Sequence, residues 1–189
     1  MEHSIASDIV SAGLVANRTG DERMSAGGVF TVECVGPDGK VKWTDTFHNK
    51  VVNVGLQDMN SKYFLGSGYS AAWYIGLVTG PGAGNTYAAG DTLAIHGGWT
   101  ENTAYTGNRK TATFAAPSLA DPSVITNSAS PASFAITTNG QVIAGALLAS
   151  VSSGTSGILF SVGNFTGGDK NVDSGDTLNV TYTFSLDAA

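Results

Sequence analysis

The sequence predicts an all-β protein: a two-sheet β-sandwich of jelly-roll type, with one short helix and an extended N-terminal arm. Three observations lead there. The 189 residues include 25 glycines and only 13% charged side chains. That composition suits short strands joined by tight turns better than helices, whose exposed faces need Glu, Lys and Arg. Apolar residues alternate with polar ones in short runs along much of the chain, the period of a half-buried strand. Turn residues separate these runs at fairly even intervals, among them Pro117, Asp121-Pro122, Asn139-Gly140, Gly154 and Gly167-Gly168. A chain of this length holds one sizeable domain with an extension, read here as an arm over residues 1–27 and a sandwich over residues 28–189.

Residues 1–27 carry a few apolar side chains, Ile5, Ile9, Val10, Leu14 and Val15, without a period sustained long enough to build a core. A short helix over residues 7–15, capped by Ser7 or Asp8, fits locally. From Gly28 the pattern changes. Phe30, Val32 and Cys34 alternate with Thr31 and Glu33, then Gly36-Pro37-Asp38-Gly39 supplies a turn, and Val41 and Trp43 resume the alternation. Pro37 presets φ and Asp38-Gly39 gives the permissive positions of a hairpin, with strands expected over 28–35 and 40–47.

Asn53 is a good helix cap, Leu56, Met59, Tyr63 and Phe64 follow at helical spacing, and Gly66 is a left-handed stop. The spacing predicts one amphipathic helix laying these residues and its flanking tryptophans, Trp43 and Trp73, against the sheets. Residues 71–78 (AAWYIGLV) form a nearly unbroken apolar run, the mark of a strand buried on both faces. Trp73, Ile75 and Leu77 share one of those faces, Tyr74 and Val78 the other. Residues 87–105 read as a long irregular connection, a kind of segment that usually has a job, often contact with a partner. Strands are expected over 110–115, 124–127, 132–137, 142–150, 158–162 and 177–186. One internal echo, Ala89-Gly90-Asp91-Thr92-Leu93 and Ser174-Gly175-Asp176-Thr177-Leu178, reads as shared turn chemistry.

The formal net charge of −6, with nine scattered Lys and Arg, argues against a surface that neutralises phosphates, so no nucleic-acid partner is expected. The single cysteine, Cys34, excludes an internal disulfide and reads as a small buried hydrophobe. The first twenty residues lack a basic region followed by an apolar one, and no apolar run reaches membrane-spanning length. A protein made in the cytoplasm without a membrane partner is the expectation.

No motif carries catalytic spacing. His3, His48 and His96 have no partner at ligand spacing, and Cys34 has no second thiol or imidazole near it in sequence. Gly66-Ser67-Gly68 lacks the outer glycines of a nucleophile elbow and follows a helix instead of a strand. Residues 80–84 (GPGAG) have neither the lysine nor the following helix of a phosphate loop. Residues 169–176 (DKNVDSGD) resemble the start of a calcium loop, but position twelve would be Val180, where a glutamate is needed, so a polar turn is the reading. Glu33, Asp45, Asp58, Asp91 and Glu101 could meet in space as a carboxylate pair for glycoside cleavage, and nothing in the sequence singles any of them out. Trp99 and Tyr105, in a loop rich in Gly, Thr and Asn, read equally as a stacking surface or as a plug for the sandwich end.

The segments Trp43-Thr44-Asp45-Thr46-Phe47-His48-Asn49, Gly55-Leu56-Gln57-Asp58, Lys62-Tyr63-Phe64, AAWYIGLV, Ala89-Gly90-Asp91-Thr92-Leu93 and Gly98-Trp99-Thr100-Glu101 together resemble structural proteins of tailed bacteriophages. The likeness runs from Gly28 to the C-terminus. It implies a non-enzymatic virion component without a cofactor, and among these a capsid cement or decoration protein that stabilises the head shell. The implied partners are the major capsid protein and further copies of the chain, a trimer being one such assembly. The expected contacts are Ile5, Ile9, Val10 and Leu14 of the arm, with His96, Trp99 and Tyr105 of the loop. The alternative is a tail- or fibre-associated module that binds host glycans by stacking on Trp99 and Tyr105.

Overall fold

The Pro-Asp-Gly signal folds as a hairpin and begins the first sheet. In the computed structural model, which describes residues 24–69 and 72–188, β1 (Met24–Val35) and β2 (Val41–His48) pair antiparallel. Gly39 takes φ +77°, and the Gly36 N–H donates to the Lys40 carbonyl at 2.8 Å to close the turn. β12 (Thr177–Ala188) pairs with β1 along its whole length, from Met24 opposite Ala188 to Val35 opposite Thr177. β7 (Ser123–Thr126) and β8 (Ala132–Ala135) share the other edge of β12.

β1 starts at Met24, four residues before its expected start, so residues 24–27 belong to the sheet and not to the arm. Ala26, Gly27 and Gly28 show no alternation, and the ladder with β12 holds them in place of side-chain packing. Gly28 leaves room for two side chains, because a β-carbon there would collide with the Tyr182 hydroxyl and with Asn49 Oδ1.

The second sheet is built on β9 (Gln141–Ala149), flanked by β10 (Leu159–Asn164) and β4 (Tyr74–Thr79). β3 (Lys50–Val51) extends it beyond β10, β5 (Glu101–Asn102) and β6 (Lys110–Thr111) pair with β4, and β11 (Lys170–Val172) pairs with the start of β9. All pairings are antiparallel. The expected strand over 110–115 is reduced to β6, because the chain there crosses between the sheets. The Ala112 N–H donates to Trp73 beside β4 at 2.8 Å, and the Ala115 N–H to Thr126 of β7 at 3.0 Å.

The two sheets close over one apolar core, to which β1 gives Phe30, Val32 and Cys34, β12 gives Leu178, Val180 and Tyr182, and β4 gives Ile75 and Leu77. A second cluster lies on the far face of the second sheet, where Val78, Leu147, Ala149, Leu159 and Val162 meet Leu93 and Trp99. The strand expected to be buried on both faces is so, with Ile75 and Leu77 in one cluster and Val78 in the other. Each large side chain in these clusters contributes about 1.5–3 kcal/mol of burial.

The helix, α1 (Asn53–Phe64), departs from expectation in two ways. Its cap is Val52, without a side-chain hydrogen bond, and Asn53 is its first helical residue. Its apolar face is not covered either: Leu56, Tyr63 and Phe64 are exposed, while Gly55 is the buried residue. The reason is a close backbone approach. A β-carbon on Gly55 would lie 2.6 Å from the Phe160 carbonyl oxygen of β10, so the first turn is pressed onto the sheet through glycine. The inward stripe then runs from Gly55 to the half-buried Met59, and the C-terminal end projects. Gly66, at φ +60°, ends the helix as expected.

Candidate interaction surface

The projecting end of α1 leaves a patch of large apolar side chains in water. Tyr63 is 83% exposed, Phe64 73%, Leu65 81% and Tyr69 63%, with the Tyr63 and Phe64 rings in edge contact at 4.9 Å. Beside them an open cleft of about 1320 Å³ lies between α1, the crossing residues 111–115 and the ends of β7 and β12. Its floor is aromatic: Trp73 meets Phe160 edge-on at 5.4 Å, and Phe160 meets Phe184 in the same way at 5.4 Å. The sequence held a sign of this patch that amphipathic spacing overrode. Tyr63, Phe64 and Leu65 are consecutive, and three successive residues fan across more of a helix than one buried face covers.

Of the expected contact residues, Ile5, Ile9, Val10 and Leu14 lie outside the described residues. Trp99 and Tyr105 are each 5% exposed, so neither ring offers a face for stacking on a sugar or a partner. Trp99 instead plugs the second cluster, and its indole N–H donates to the Asp91 carboxylate at 2.9 Å. Tyr105 enters the main core, edge-on to Phe134 at 4.8 Å, and burial, followed by the charge of Glu101, pushes its phenol pKa up. His96 is half-buried, stacks on Trp99 with centroids 3.8 Å apart, and places Nδ1 3.0 Å from the Trp99 carbonyl. The connection is therefore a third layer fastened over the second sheet. Its rim is tied by the Thr86 N–H to Gly98 and the Thr79 N–H to Thr100, both at 2.8 Å.

The internal echo is one turn used twice. The Ala88 N–H donates to the Asp91 carboxylate at 3.1 Å, and the Asp173 N–H to that of Asp176 at 3.0 Å. In return, Asp91 and Asp176 donate their own N–H groups to the carbonyls of Ala88 and Asp173. Each buried carboxylate has a further donor, Trp99 for Asp91 and Lys42 for Asp176, the latter at 2.7 Å.

The other acidic groups are spread over separate structural tasks. Asp45 accepts the Thr166 and Gly167 N–H groups and faces Lys170 at 3.3 Å. Glu101 holds the buried Arg109 in a two-bond fork at 2.8 and 2.7 Å, while Arg109 also donates to the Val151 and Gly154 carbonyls. Local spacing gave no sign of this fork, which joins the two ends of the 101–109 segment. In the stretch resembling a calcium loop, Asp169 accepts the Gly82 N–H at 2.8 Å, Asp173 the Gly140 N–H at 2.8 Å, and Asp176 binds Lys42. These carboxylates brace three different turns, and residues 170–172 of the expected turn form β11. Among the described residues no three His, Cys, Asp or Glu side chains cluster as metal ligands. No helix there is long and apolar enough to cross a membrane.

The fold and surface define a two-sheet β-sandwich with a strapped outer face and one uncovered apolar end. Compared with known proteins, the chain matches no family model, no curated protein and no solved structure.

Proposed function

We propose that the chain is a structural protein of a tailed-bacteriophage particle, a capsid cement or decoration protein that binds the major capsid protein and stabilises the head shell. The observation that carries this reading is the uncovered end of α1, where Tyr63, Phe64, Leu65 and Tyr69 stand beside an open apolar cleft. Contiguous apolar surface of this kind marks protein contact sites. The likeness of the Trp43-to-Glu101 segments to phage structural proteins supplies the context. A cement protein works by burying surface across subunit boundaries, about 800 Å² per partner for a standard interface, and repetition over a shell multiplies the effect. The glycan-binding alternative loses support, because the two rings it relied on are buried.

The test is occupancy on purified shells that lack the protein, read by electron microscopy and by co-sedimentation. Wild-type chain should saturate its sites. A Tyr63→Ser/Phe64→Ser variant, which alters only exposed positions, should stay folded and bind at least about tenfold more weakly. Deleting residues 1–20 should leave the sandwich folded and abolish binding. Unchanged occupancy of both variants, or glycan-array binding without shell binding, would overturn the reading.

A further inference from the structure

We propose that the cleft beside α1 is the seat of the chain's own N-terminal residues 5–15, independently of whether the protein binds a capsid. At about 1320 Å³ the cleft exceeds the roughly 300–1,000 Å³ of small-molecule pockets, so its size suits a peptide segment. Met59, Trp73, Phe114, Phe160 and Phe184 supply an apolar surface, and Asp58 and Lys62, 3.8 Å from each other, are the charged residues that line it. The stretch Ile5-Ala6-Ser7-Asp8-Ile9-Val10-Ser11-Ala12-Gly13-Leu14-Val15 has matching chemistry. Its five aliphatic side chains, Ile5, the pair Ile9-Val10 and the pair Leu14-Val15, are spaced by mostly small residues, and its single charge is Asp8.

Position and length agree with chemistry. Leu186, which lines the cleft, sits opposite Ala26 in the β1–β12 ladder, two pairs from Met24. The chain therefore enters β1 beside the cleft. Residues 16–23 join Val15 to that point, and eight residues reach roughly 26 Å when extended, enough to carry the stretch into the cleft. Tethering gives the stretch an effective concentration of order millimolar. That favours it over the same stretch of a second copy or over a free partner at micromolar concentration. Seated there, the arm would form one continuous surface with the exposed end of α1.

The full-length chain tests this directly. A photoreactive benzophenone side chain is placed at Thr113, exposed on the cleft wall, and the protein is mixed with an equal amount of isotope-labelled chain lacking the probe. Cross-links should fall on residues 5–15 of the probe-bearing chain. Ile9→Asp with Leu14→Asp should lower their yield by about tenfold or more, because an apolar seat does not accept unpaired charge. Neither position belongs to a described strand or core cluster, and circular dichroism verifies that the fold is retained. Cross-links into the labelled chain, cross-links that avoid residues 5–15, or a yield indifferent to the two aspartates would each overturn the assignment. Shell binding is not part of the readout, so the two proposals fail separately.

Discussion

Replacing Trp99 by alanine should unfasten the outer strap while leaving the sandwich closed. The ring is 5% exposed and packs with Leu93 against Val78, Leu147 and Leu159, and deleting a buried tryptophan costs about 3–5 kcal/mol. Part of that cost is the indole bond to Asp91 at 2.9 Å, since a buried carboxylate that loses a donor is worth about 1.5–3 kcal/mol. The main core lies on the opposite face of the second sheet and does not include Trp99, so the loss is confined to the strap. Hydrogen exchange read by mass spectrometry reports it. The Thr86 amide, bonded to Gly98, and the Asn53 amide, bonded to Ala89 at 2.8 Å, should exchange roughly 100- to 4,000-fold faster, since each 1.4 kcal/mol is a factor of ten. Amides of the β1–β12 ladder should be slowed or hastened far less. Unchanged protection at residues 53 and 86, together with a stability change within about 0.5 kcal/mol, would show that the ring is a surface group and refute the strap.

Two further predictions concern the buried groups beside the first hairpin. Burial pushes the Asp176 carboxyl up, but the Lys42 ammonium and the Asp173 N–H outweigh it and hold its pKa below the ordinary value. A depressed carboxyl stabilises the fold above its unfolded pKa, and this contribution fades as pH falls through the carboxylate range, below about pH 4. Lys42→Met should therefore destabilise by roughly 0.5–1.5 kcal/mol at pH 7, a charge-assisted bond discounted for screening because the lysine side chain is 39% exposed, with the gap to wild type closing in acid; urea melts giving a constant gap from pH 7 to pH 3 would contradict the pair. Cys34 is fully buried, and its thiol is pushed up to about 11 by burial first and then by Asp176, against Lys42. It should resist thiol reagents at pH 8 in the native protein and react fully once unfolded; rapid native labelling would mean that the β1 face is open.

The hairpin, the doubly buried strand at residues 74–78 and the long C-terminal strands were legible because each rests on local alternation plus turn chemistry, as in Phe30-Val32-Cys34 before Gly36-Pro37-Asp38-Gly39. Three features were not. The first four residues of β1 are held by backbone pairing to β12, which leaves no side-chain pattern to read. The rotation of α1 follows from the contact of Gly55 with Phe160, a pairing across more than a hundred residues. Glycine looks neutral in a helical wheel, yet it decides which face approaches. Third, the sequence left Trp99 and Tyr105 open between a stacking surface and a plug, and their burial decides for the plug, because an irregular segment is not always an exposed one. The clue to the burial of Trp99 was the Asp91 turn, whose twin at Asp176 precedes a core strand.

That paired turn also bears on where function resides. In each case a buried aspartate closes its own turn through backbone N–H groups and captures one distant donor, Trp99 in the strap and Lys42 in the first hairpin. A charge-assisted bond at such a site is about twice as strong as a neutral one, so both clamps resist local opening of the turns they close. Stiffness concentrates adaptability elsewhere. Within the described residues, the large apolar side chains gathered at one place without cover are those at the end of α1 and around the cleft. On the proposed reading, a surface that binds repeatedly across a shell needs a rigid base and a small adaptable contact, since ordering loops on binding subtracts from affinity. Under that proposal the strap that looked like a binding loop is the base, and the end of the helix that looked like core is the contact.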